Sequence, residues 1–337
     1  MVHLRKNIKA LILVGGYGTR LRPLTYTVPK PLVPFINRPI LEHQIEALVK
    51  AGCDEIVLAL NYYSHLIIKE VDRYAKEYNI NIIYSKEKEP LGTGGPLALA
   101  KKYLSGNFYV LNSDVICNYP FKEMMDFHIK KGKKATILST QVDDPSKYGL
   151  IKINENTNYV ESFIEKPSKA IRSRINAGIY IFNESILEDI EHKPCSLERE
   201  IFPKIAEERQ MTVFDLNGYW MDIGQIKDYL EGQKMYIEHM KTGKEDQDRI
   251  DIKNNVVLGN NVKLGSNVKL KNATIFDNCT IGNNVIIENS IIGWNSIIED
   301  NVRILNCSAL GESVSIMRNC HIDSNKIQPN ETVHNIE

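Results

Sequence analysis

The sequence lacks an excess of charge of either sign. Lysine and arginine together number 42, aspartate and glutamate also number 42, and the formal net charge at pH 7 is zero. Proteins that bind nucleic acid through a broad basic face carry a surplus of lysine and arginine, so the composition argues against that class. We therefore expect no nucleic-acid partner, and any phosphate must be bound at a local site.

Closely spaced cysteines are also lacking. No Cys-x-x-Cys pair and no nearby histidine cluster occurs, which excludes a disulfide framework and the common zinc sites. We expect the six cysteines to be small, buried, apolar residues in a reducing compartment, which predicts a cytoplasmic location. They are Cys53, Cys117, Cys195, Cys279, Cys307 and Cys320.

Long hydrophobic runs are absent as well. The segment Met1–Lys9 is polar and basic, and the apolar run behind it, Ala10–Val14, is too short for a signal-peptide core or a membrane span. No later run is long enough either. The sequence therefore predicts no membrane association.

Short apolar runs do recur, and amphipathic segments separate them. The runs are rich in β-branched residues, and they include Ala10–Val14, Glu55–Leu60, Asn81–Tyr84, Phe108–Leu111 and Ala135–Ser139. Such alternation predicts an α/β domain with a mostly parallel sheet that is covered on both faces. Ligands of such sheets bind at the carboxyl ends of the strands, so the residues that follow each run are the candidates for function.

The chain of 337 residues is longer than one core usually holds, and its periodicity changes near residue 250. Residues 241–251 are charged and aperiodic, which is typical of a linker. Beyond them Leu258, Leu264 and Leu270 recur every six residues, with glycine and asparagine at intervals. This repeat is typical of a parallel β-helix, with an irregular β domain as the alternative. We predict a catalytic domain over 1–240, the linker over 241–251 and the repeat domain over 252–337.

The most specific motif follows the first apolar run. It reads Leu-Val-Gly-Gly-Tyr-Gly-Thr-Arg-Leu-Arg-Pro-Leu-Thr over 13–25, with Pro-Lys-Pro-Leu over 29–32. Glycines after a buried strand let backbone N–H groups approach phosphate oxygens, and Arg20 and Lys30 supply positive charge for a triphosphate. The motif is neither a Walker A loop nor a dinucleotide fingerprint, because no Gly-Lys-Ser/Thr follows and Leu21 occupies the third glycine position.

This motif resembles that of the sugar-1-phosphate nucleotidyltransferases. The resemblance extends over Lys9–Asn61, Glu87–Ala100, Leu111–Asp114, Asn176–Tyr180 and Trp220–Asp228. Within the family it is to the mannose-1-phosphate guanylyltransferases, and it covers nearly the whole chain. It implies a Rossmann-like nucleotidyltransferase domain followed by a left-handed parallel β-helix of hexapeptide repeats.

The resemblance assigns candidate residues to the nucleotide and to a metal. Two aspartates, Asp114 after the run Phe108–Leu111 and Asp222 in Trp-Met-Asp-Ile-Gly, match the aspartates that bind Mg²⁺ in the family. An isolated aspartate after a strand is otherwise commonly a turn former. The glycines of the segment 87–96 suit a flat base, with a helix-start turn as the structural alternative. The implied nucleotide-binding residues are Leu13, Gly15, Gly16, Gly18, Thr19, Arg20, Lys30, Glu89, Gly92 and Asn112.

The sugar phosphate is expected in the second half of the catalytic domain. Carboxylate and amide groups suit sugar hydroxyls, and a lysine suits the phosphate. In the family the Glu-Lys-Pro and Asn-Ala-Gly motifs have these roles, although Glu165 and Lys166 alone could equally be a solvated ion pair. The implied sugar-phosphate residues are Gly149, Glu165, Lys166, Asn176 and Gly178.

The resemblance therefore implies that GTP and mannose 1-phosphate react to give GDP-mannose and pyrophosphate. Arg20, Lys30, Asp114, Lys166 and Asp222 are the expected catalytic residues. Alternatives are glucose 1-phosphate with UTP, dTTP or ATP, and a non-catalytic regulatory subunit of the same architecture. The presence of all five residues argues against the regulatory alternative. We expect a homo-oligomer, because the β-helix offers a self-association surface, and a regulatory homologous subunit as a further partner on resemblance alone.

Overall fold

The computed structural model describes residues 8–61, 64–166, 173–239 and 249–335. The chain divides into two compact units. The sheet unit comprises Met1–Gly16 and Leu41–Trp220, and the repeat unit comprises Tyr17–Ile40 and Met221–Glu337. The predicted linker lies outside the described residues as far as residue 248.

The elements alternate along the first part of the chain much as the apolar runs predict. The helices are α1 (Ile40–Lys50), α2 (Ser64–Glu77), α3 (Gly95–Leu99), α4 (Phe121–Lys131), α5 (Phe202–Glu207) and α6 (Ile226–His239). The strands are β1 (Ile8–Val14), β2 (Pro34–Phe35), β3 (Arg38–Pro39), β4 (Cys53–Leu60), β5 (Asn81–Lys86), β6 (Asn107–Asn112), β7 (Val115–Cys117), β8 (Ala135–Val142), β9 (Gly149–Asn154), β10 (Tyr159–Glu165), β11 (Ser173–Asn183), β12 (Met211–Asp215) and β13 (Trp220–Asp222).

The sheet unit is built on nine strands in the order β5-β4-β1-β6-β11-β8-β12-β10-β9. Strand β1 lies between β4 and β6, parallel to both. Its residues Ala10, Leu11 and Ile12 have no exposed surface, because a strand covered on both faces needs a continuous apolar run. The carboxyl ends of β1 and β6 therefore lie side by side, with Leu13 opposite Asn112.

The sheet is mostly parallel, as the sequence predicts, but two strands of its second half run in the opposite direction. Strand β11 runs antiparallel to both β6 and β8, and β10 runs antiparallel to both β9 and β12. The segment Asn176–Tyr180 lies inside β11. The pairing of β11 with β8 is interrupted between Asn176 and Tyr180. Apolar periodicity does not reveal strand direction, so the sequence did not predict which strands are reversed.

The repeat domain consists of stacked coils whose strands pair in parallel, as in a parallel β-helix. Its first strand is the exception, because Ile250 and Asp251 pair antiparallel with Val257 and Val256. Its strands are β14 (Ile250–Asp251), β15 (Val256–Leu258), β16 (Lys263–Leu264), β17 (Lys269–Ile275), β18 (Thr280–Ile281), β19 (Ile286–Ile292), β20 (Ile297–Ile298), β21 (Arg303–Leu305), β22 (Ala309–Leu310), β23 (Ser315–Ile316), β24 (His321–Asp323), β25 (Lys326–Ile327) and β26 (Thr332–Val333). Paired residues lie 17 or 18 positions apart, as in Val256 with Ala273 and Ile291 with Ala309. The inward column Ile281, Ile298 and Ile316 is almost fully buried.

Asparagines occupy the corners of the coils. Asn261, Asn278 and Asn295 have φ angles of 56°, 61° and 58°, a left-handed conformation that asparagine adopts more readily than other residues with a side chain. The amide of Asn261 donates to the Oδ1 of Asn278 at 3.0 Å, and that of Asn278 donates to Asn295 at 3.2 Å. The asparagines seen in the sequence therefore form ladders that run along the stack.

Helix α6 and the segment Tyr17–Ile40 pack within the repeat unit. The ring of Phe35 meets that of Tyr229 edge to face, and the Tyr229 hydroxyl donates to the Pro34 carbonyl at 2.6 Å. The Asn37 amide donates to the carbonyl of Leu258 at 2.9 Å. The segment that carries Arg20 and Lys30 is thus anchored on α6 and on the first coil.

The remaining features of the fold are the exposure of the cysteines and the length and apolar character of the helices. All six cysteines are free; five are buried, whereas Cys307 is exposed, so the prediction of burial was wrong for Cys307. Cys307 has a φ of 61° and follows Asn306 at a corner, which places its side chain outside the apolar interior. Across the described ranges, no helix is long and apolar enough to cross a membrane.

Candidate active site

Three candidate catalytic residues come together in the repeat unit. The Asp222 carboxylate lies 3.9 Å from the Lys30 Nζ and 4.0 Å from an Arg20 guanidinium nitrogen. The Lys30 side chain is 9% exposed and that of Asp222 is 19% exposed, whereas Arg20 is 55% exposed. A buried ammonium is costly unless it is paired, and the Asp222 carboxylate supplies a partner of opposite charge for Lys30. Arg20 remains accessible to an anion.

The turn before Arg20 has a specific need for glycine. Gly18 has a φ of 63°, and a Cβ there would lie 2.9 Å from the Lys30 Cβ and 3.0 Å from the Thr25 Cγ2. The Thr25 hydroxyl donates to the Gly18 carbonyl at 2.7 Å. The absence of a side chain at Gly18 therefore lets the turn close onto the segment that carries Lys30. The adjacent Thr19 is exposed.

The first two glycines of the motif differ from Gly18. At Gly16 a Cβ would meet no atom within 4 Å, and at Gly15 the nearest atom, an oxygen of Glu87, would be 3.7 Å away. Neither residue has a positive φ. Packing among the described residues therefore gives no reason for glycine at these two positions, and the open backbone there suits close approach of a ligand.

A buried glutamine, Gln44, holds the turn that carries Asp114 through hydrogen bonds to its backbone. Asp114 lies between β6 and β7, beside Asn112 at the end of β6. The Gln44 amide on α1 donates to the Asn112 carbonyl at 2.8 Å and to the Val115 carbonyl at 3.1 Å. Gln44 has no exposed surface and stands among the apolar residues of its helix. A polar residue in an apolar stripe was a signal that the sequence reading did not use.

The glycines of the segment 87–96 are needed for internal packing. A Cβ at Gly92 would lie 2.4 Å from the Cys195 carbonyl oxygen, and one at Gly94 would lie 2.4 Å from the Cys195 sulfur. Packing against Cys195 is therefore sufficient to explain glycine at these two positions, and contact with a flat base is not needed to explain it. The loop is seated on the Cys195 segment, because the Gly94 N–H donates to the Cys195 carbonyl at 3.0 Å.

Two glutamates of this loop have different environments. Glu89 is exposed and makes no hydrogen bond or ion pair within the described part of the chain. Glu87 is half-buried, lies next to Gly15 and accepts a hydrogen bond from the Leu91 N–H at 3.0 Å. Burial raises the pKa of the Glu87 carboxyl. Glu87 is thus a further candidate for contact with a base, which the sequence reading did not single out.

Gly149, Glu165 and Lys166 lie together at the open end of the β9–β10 hairpin. Gly149 pairs with Glu165, and a Cβ at Gly149 would lie 2.4 Å from the ring of Phe163 and 3.0 Å from the Glu165 carboxylate. The Lys166 Nζ lies 3.5 Å from Glu165. Burial, followed by the charge of Glu198, raises the pKa of the Glu165 carboxyl. Lys166 has a φ of 49°, an unusual conformation for a residue with a long side chain.

Asn176 and Gly178 lie at the break in β11. The Asn176 amide donates to the Tyr180 hydroxyl at 2.8 Å, and its Oδ1 accepts the Gly178 N–H at 2.9 Å. Gly178 has a φ of 74°, and a Cβ there would lie 2.8 Å from the Asn112 amide nitrogen. The break therefore places a candidate sugar-binding residue and a candidate nucleotide-binding residue in contact.

The protein supplies few ligands for a metal. Among the described residues, no group of three or more histidine, cysteine, aspartate or glutamate side chains could hold a metal ion. Mg²⁺ commonly uses one or two carboxylates and completes its shell with substrate phosphates and water. Asp114 and Asp222 fit that kind of donor set by their chemistry.

Comparisons with known proteins agree on the kind of domain. The model of the nucleotidyl transferase family matches residues 9–239, and that of the GMPPB C-terminal domain matches residues 239–336. A mannose-1-phosphate guanyltransferase from Saccharomyces cerevisiae is 55% identical over 237 residues, which are 69% of this chain and 66% of the yeast protein. The mannose-1-phosphate guanylyltransferase catalytic subunit beta of Drosophila melanogaster is 52% identical over 236 residues, which are 69% of this chain and 64% of the fly protein. The chain thus spans just under two thirds of the length of these two relatives.

A solved structure supports the same comparison. HddC from Yersinia pseudotuberculosis complexed with GMP-PN superposes with a TM-score of 0.57 and 32% sequence identity. The superposition covers 67% of this chain and 97% of HddC. HddC therefore corresponds to only part of this chain.

Proposed function

Because the chain belongs to the nucleotidyl transferase family, we propose that it joins GTP to mannose 1-phosphate and releases GDP-mannose and pyrophosphate. The observation that carries the proposal is the approach of Arg20 and Lys30 to Asp222 within 4.0 Å. Two cations beside one carboxylate suit a site that takes a triphosphate with its metal ion. The names of the yeast and fly relatives support the choice of GTP and mannose 1-phosphate.

The nucleotide residues of the proposal are those of the two glycine-rich loops. Leu13, Gly15, Gly16, Gly18 and Thr19 would hold the phosphates through backbone N–H groups, and Arg20 and Lys30 would neutralise the β- and γ-phosphates. Glu89, Gly92 and Asn112 would contact the base. The open space over Gly16 supports this role for the first loop.

The sugar-phosphate residues are Gly149, Glu165, Lys166, Asn176 and Gly178. Glu165 would accept hydrogen bonds from sugar hydroxyls, and Lys166 would neutralise the phosphate and orient it. The left-handed backbone at Lys166 supports a functional role, since such strain in residues with a side chain is concentrated at functional sites.

A divalent metal belongs to the proposed reaction, and we name Mg²⁺ with Asp114 and Asp222 as its protein ligands. When bound, the ion would offset negative charge on the α-phosphate and the attacking oxygen. The lack of a group of three or more metal-binding side chains among the described residues fits an ion that arrives with the nucleotide.

The chain's own residues would act by positioning and electrostatics. A phosphate oxygen of mannose 1-phosphate, oriented by Lys166, attacks the α-phosphorus of GTP as the bond to the β-phosphate oxygen breaks. Pyrophosphate leaves with the electron pair of that bond, and Arg20 and Lys30 stabilise its charge. No covalent intermediate is required, because the attacking phosphate is already anionic.

Several broader features stay predictions. Of the boundaries 1–240, 241–251 and 252–337, the first is supported by the two family models, which meet at residue 239, and the linker over 241–251 stays a prediction. The left-handed sense of the β-helix rests on the hexapeptide period and the resemblance. A homo-oligomer, a regulatory homologous subunit and a cytoplasmic location remain to be tested, the last supported by the free cysteines.

The test is pyrophosphate release by the purified chain with Mg²⁺. GTP, ATP, UTP and dTTP are each combined with mannose 1-phosphate and with glucose 1-phosphate. We expect release mainly with GTP and mannose 1-phosphate, and its loss by at least 100-fold in Asp222→Asn and Asp114→Asn, on the order seen for removal of a key electrostatic group. Release with another pair would contradict the proposed choice of GTP and mannose 1-phosphate, but it would support the proposed type of reaction. No release from any pair would favour the regulatory-subunit alternative.

A further inference from the structure

Hydrogen bonds join the glycine-rich loop 87–96 to the segment 196–198, which belongs to neither candidate motif. The Thr93 hydroxyl donates to the Glu198 carboxylate at 2.6 Å and accepts the Leu197 N–H at 2.9 Å. The Ser196 hydroxyl donates to the same carboxylate oxygen at 2.8 Å. Thr93 thus bridges the loop to the π-helical turn Leu197–Ile201, which is 105 residues away along the chain.

Backbone contacts hold the two segments in the same register. The Gly94 N–H donates to the Cys195 carbonyl at 3.0 Å, and the Cys195 N–H donates to the Leu91 carbonyl at 3.1 Å. Gly92 and Gly94 have no room for a side chain against Cys195. These contacts therefore hold the loop and the Cys195–Glu198 segment together as one unit.

The turn that carries Glu198 packs against β10, the strand that ends at Glu165, and just beyond the turn Phe202 meets Phe163 of β10 edge to face, with ring centroids 5.3 Å apart. The charge of Glu198 raises the pKa of the Glu165 carboxyl, second only to burial, while the nearby Lys166 and Arg199 lower it. Glu198 also raises the pKa of Tyr180, whose hydroxyl accepts the Asn176 amide. One carboxylate is therefore hydrogen-bonded to the loop and electrostatically coupled to Glu165 and Tyr180.

We propose that Glu198 is a positioning residue that couples the glycine-rich loop, through Thr93, to Glu165 in the sugar-phosphate subsite. This inference rests on the proposed function and deepens it. A shift of the loop carries the Glu198 carboxylate with it, and so changes the field of that carboxylate at Glu165. Occupancy of the loop by the nucleotide thereby alters the affinity for the sugar phosphate.

The first test separates the hydrogen bond from general packing. Thr93→Val removes the hydroxyl at nearly constant volume, and Thr93→Ser keeps it. With GTP, mannose 1-phosphate and Mg²⁺, we expect Thr93→Val to raise the KM of both substrates by roughly tenfold, as for loss of a hydrogen bond to a charged group. Thr93→Ser is expected to restore both KM values to within about threefold. Equal effects of the two variants, or a change in one KM alone, would overturn the coupling.

The second test uses the pH dependence of activity, which would not change if Glu198 had a merely structural role. Glu198→Gln keeps an oxygen that accepts from Thr93 but removes the negative charge beside Glu165. The Glu165 pKa should then fall, and because Glu165 acts as a carboxylate, kcat/KM for mannose 1-phosphate should persist to lower pH than in the wild type. Glu207→Gln, which removes an exposed glutamate, is the control and should leave the profile unchanged. An acid limb that does not move in Glu198→Gln contradicts the proposal.

A titration without turnover keeps the two hypotheses distinguishable. The Glu165 carboxyl is followed by ¹³C NMR in the full chain, with Glu165→Gln to assign its signal. A lower pKa in Glu198→Gln supports the contact even if the wild type releases no pyrophosphate, which would refute the proposed reaction instead. An unchanged Glu165 titration overturns the inference whatever the activity.

Discussion

At the scale of single residues, Lys166 combines strain with a proposed role. Its left-handed backbone is held by the hairpin, where its N–H donates to the Tyr148 carbonyl at 3.0 Å. A non-glycine residue in this conformation costs roughly 1–2 kcal/mol. The side chain is 58% exposed, so its ion pair with Glu165 adds little stability. Stability alone therefore does not account for a lysine at this position.

We predict that Lys166→Gly separates stability from activity. Glycine relieves the left-handed strain, so the free energy of unfolding should be unchanged or higher by up to about 1 kcal/mol. Pyrophosphate release should fall by at least about 100-fold, because the phosphate loses its cation. Asn158→Gly, at another left-handed residue of the same hairpin, is the control and should keep full activity. A Lys166→Gly protein that is both less stable and fully active contradicts the role.

A second residue-scale prediction concerns His128, which is 1% exposed. Its Nδ1 lies 2.8 Å from the Thr136 hydroxyl, and burial lowers its pKa to about 4. Between about pH 6.5 and 4 the unfolded chain binds a proton that the folded chain does not, so this histidine costs stability as the pH falls. The loss approaches roughly 3 kcal/mol near pH 4, since each unit of pKa difference is worth about 1.4 kcal/mol.

Urea unfolding at pH 7.0, 5.5 and 4.5 checks this sign. The wild type should lose more stability on acidification than His128→Gln, while other groups contribute equally to both. His192→Gln, at an exposed histidine, should follow the wild type. If the stability of the wild type and of His128→Gln changed with pH in the same way, His128 would bind protons equally in the folded and the unfolded chain, contrary to the prediction.

At the scale of elements, the asparagine ladders explain the glycine- and asparagine-rich corners. We predict that Asn278→Ala destabilises the repeat unit by about 1–3 kcal/mol, because alanine tolerates the left-handed conformation poorly and both ladder hydrogen bonds are lost. Asn278→Gly restores the backbone preference but not the ladder, so it should be milder by about 1 kcal/mol. Thermal unfolding of the three proteins gives the two contributions. Equal destabilisation by alanine and glycine would mean that the backbone conformation carries no cost.

One buried glutamine contributes hydrogen bonds to the attachment of α6 to the coils. The Gln233 Nε2 donates to the Asn255 carbonyl at 3.2 Å, and its Oε1 accepts the Thr274 hydroxyl at 2.5 Å. We predict that Gln233→Leu destabilises the chain by about 2–3 kcal/mol, since buried polar partners lose their hydrogen bonds. Lys234→Ala, at the exposed neighbour, should stay within about 0.5 kcal/mol of the wild type. Urea midpoints decide between these values, and a neutral Gln233→Leu would mean that packing alone holds the helix.

Elements differ in how well the sequence predicts them. The apolar runs and the six-residue repeat predict strands and coils, because both signals are local. The break at Gly178 and the antiparallel course of β11 were missed, since they depend on which strand β11 pairs with. The pairing of Thr93 with Glu198 was missed for the same reason, as it joins residues 105 positions apart. The candidate residues were therefore found by motif, but the contacts that position them were not.

At the scale of the whole molecule, the division of the chain does not follow the order of the sequence. The segment Tyr17–Ile40 belongs to the repeat unit although it follows the first strand of the sheet unit. Within the repeat unit, Phe276 stacks on Trp294 with ring centroids 4.4 Å apart and meets Tyr229 edge to face. Tyr229 in turn contacts Phe35, so an aromatic cluster connects the coils to this segment.

The aromatic cluster leads to a prediction about the repeats. If the coils hold the segment of Arg20 and Lys30, a chain shortened to residues 1–239 loses the partners of Tyr229 and of Asn37. The shortened chain should unfold at lower temperature, and its KM for GTP should rise by about tenfold or more. In the full chain, Asn37→Ala removes one anchor and should raise the same KM by a few-fold, as for one lost hydrogen bond. If the shortened chain matches the full chain in GTP KM and kcat, the repeats contribute to assembly only, and the segment keeps its conformation without them.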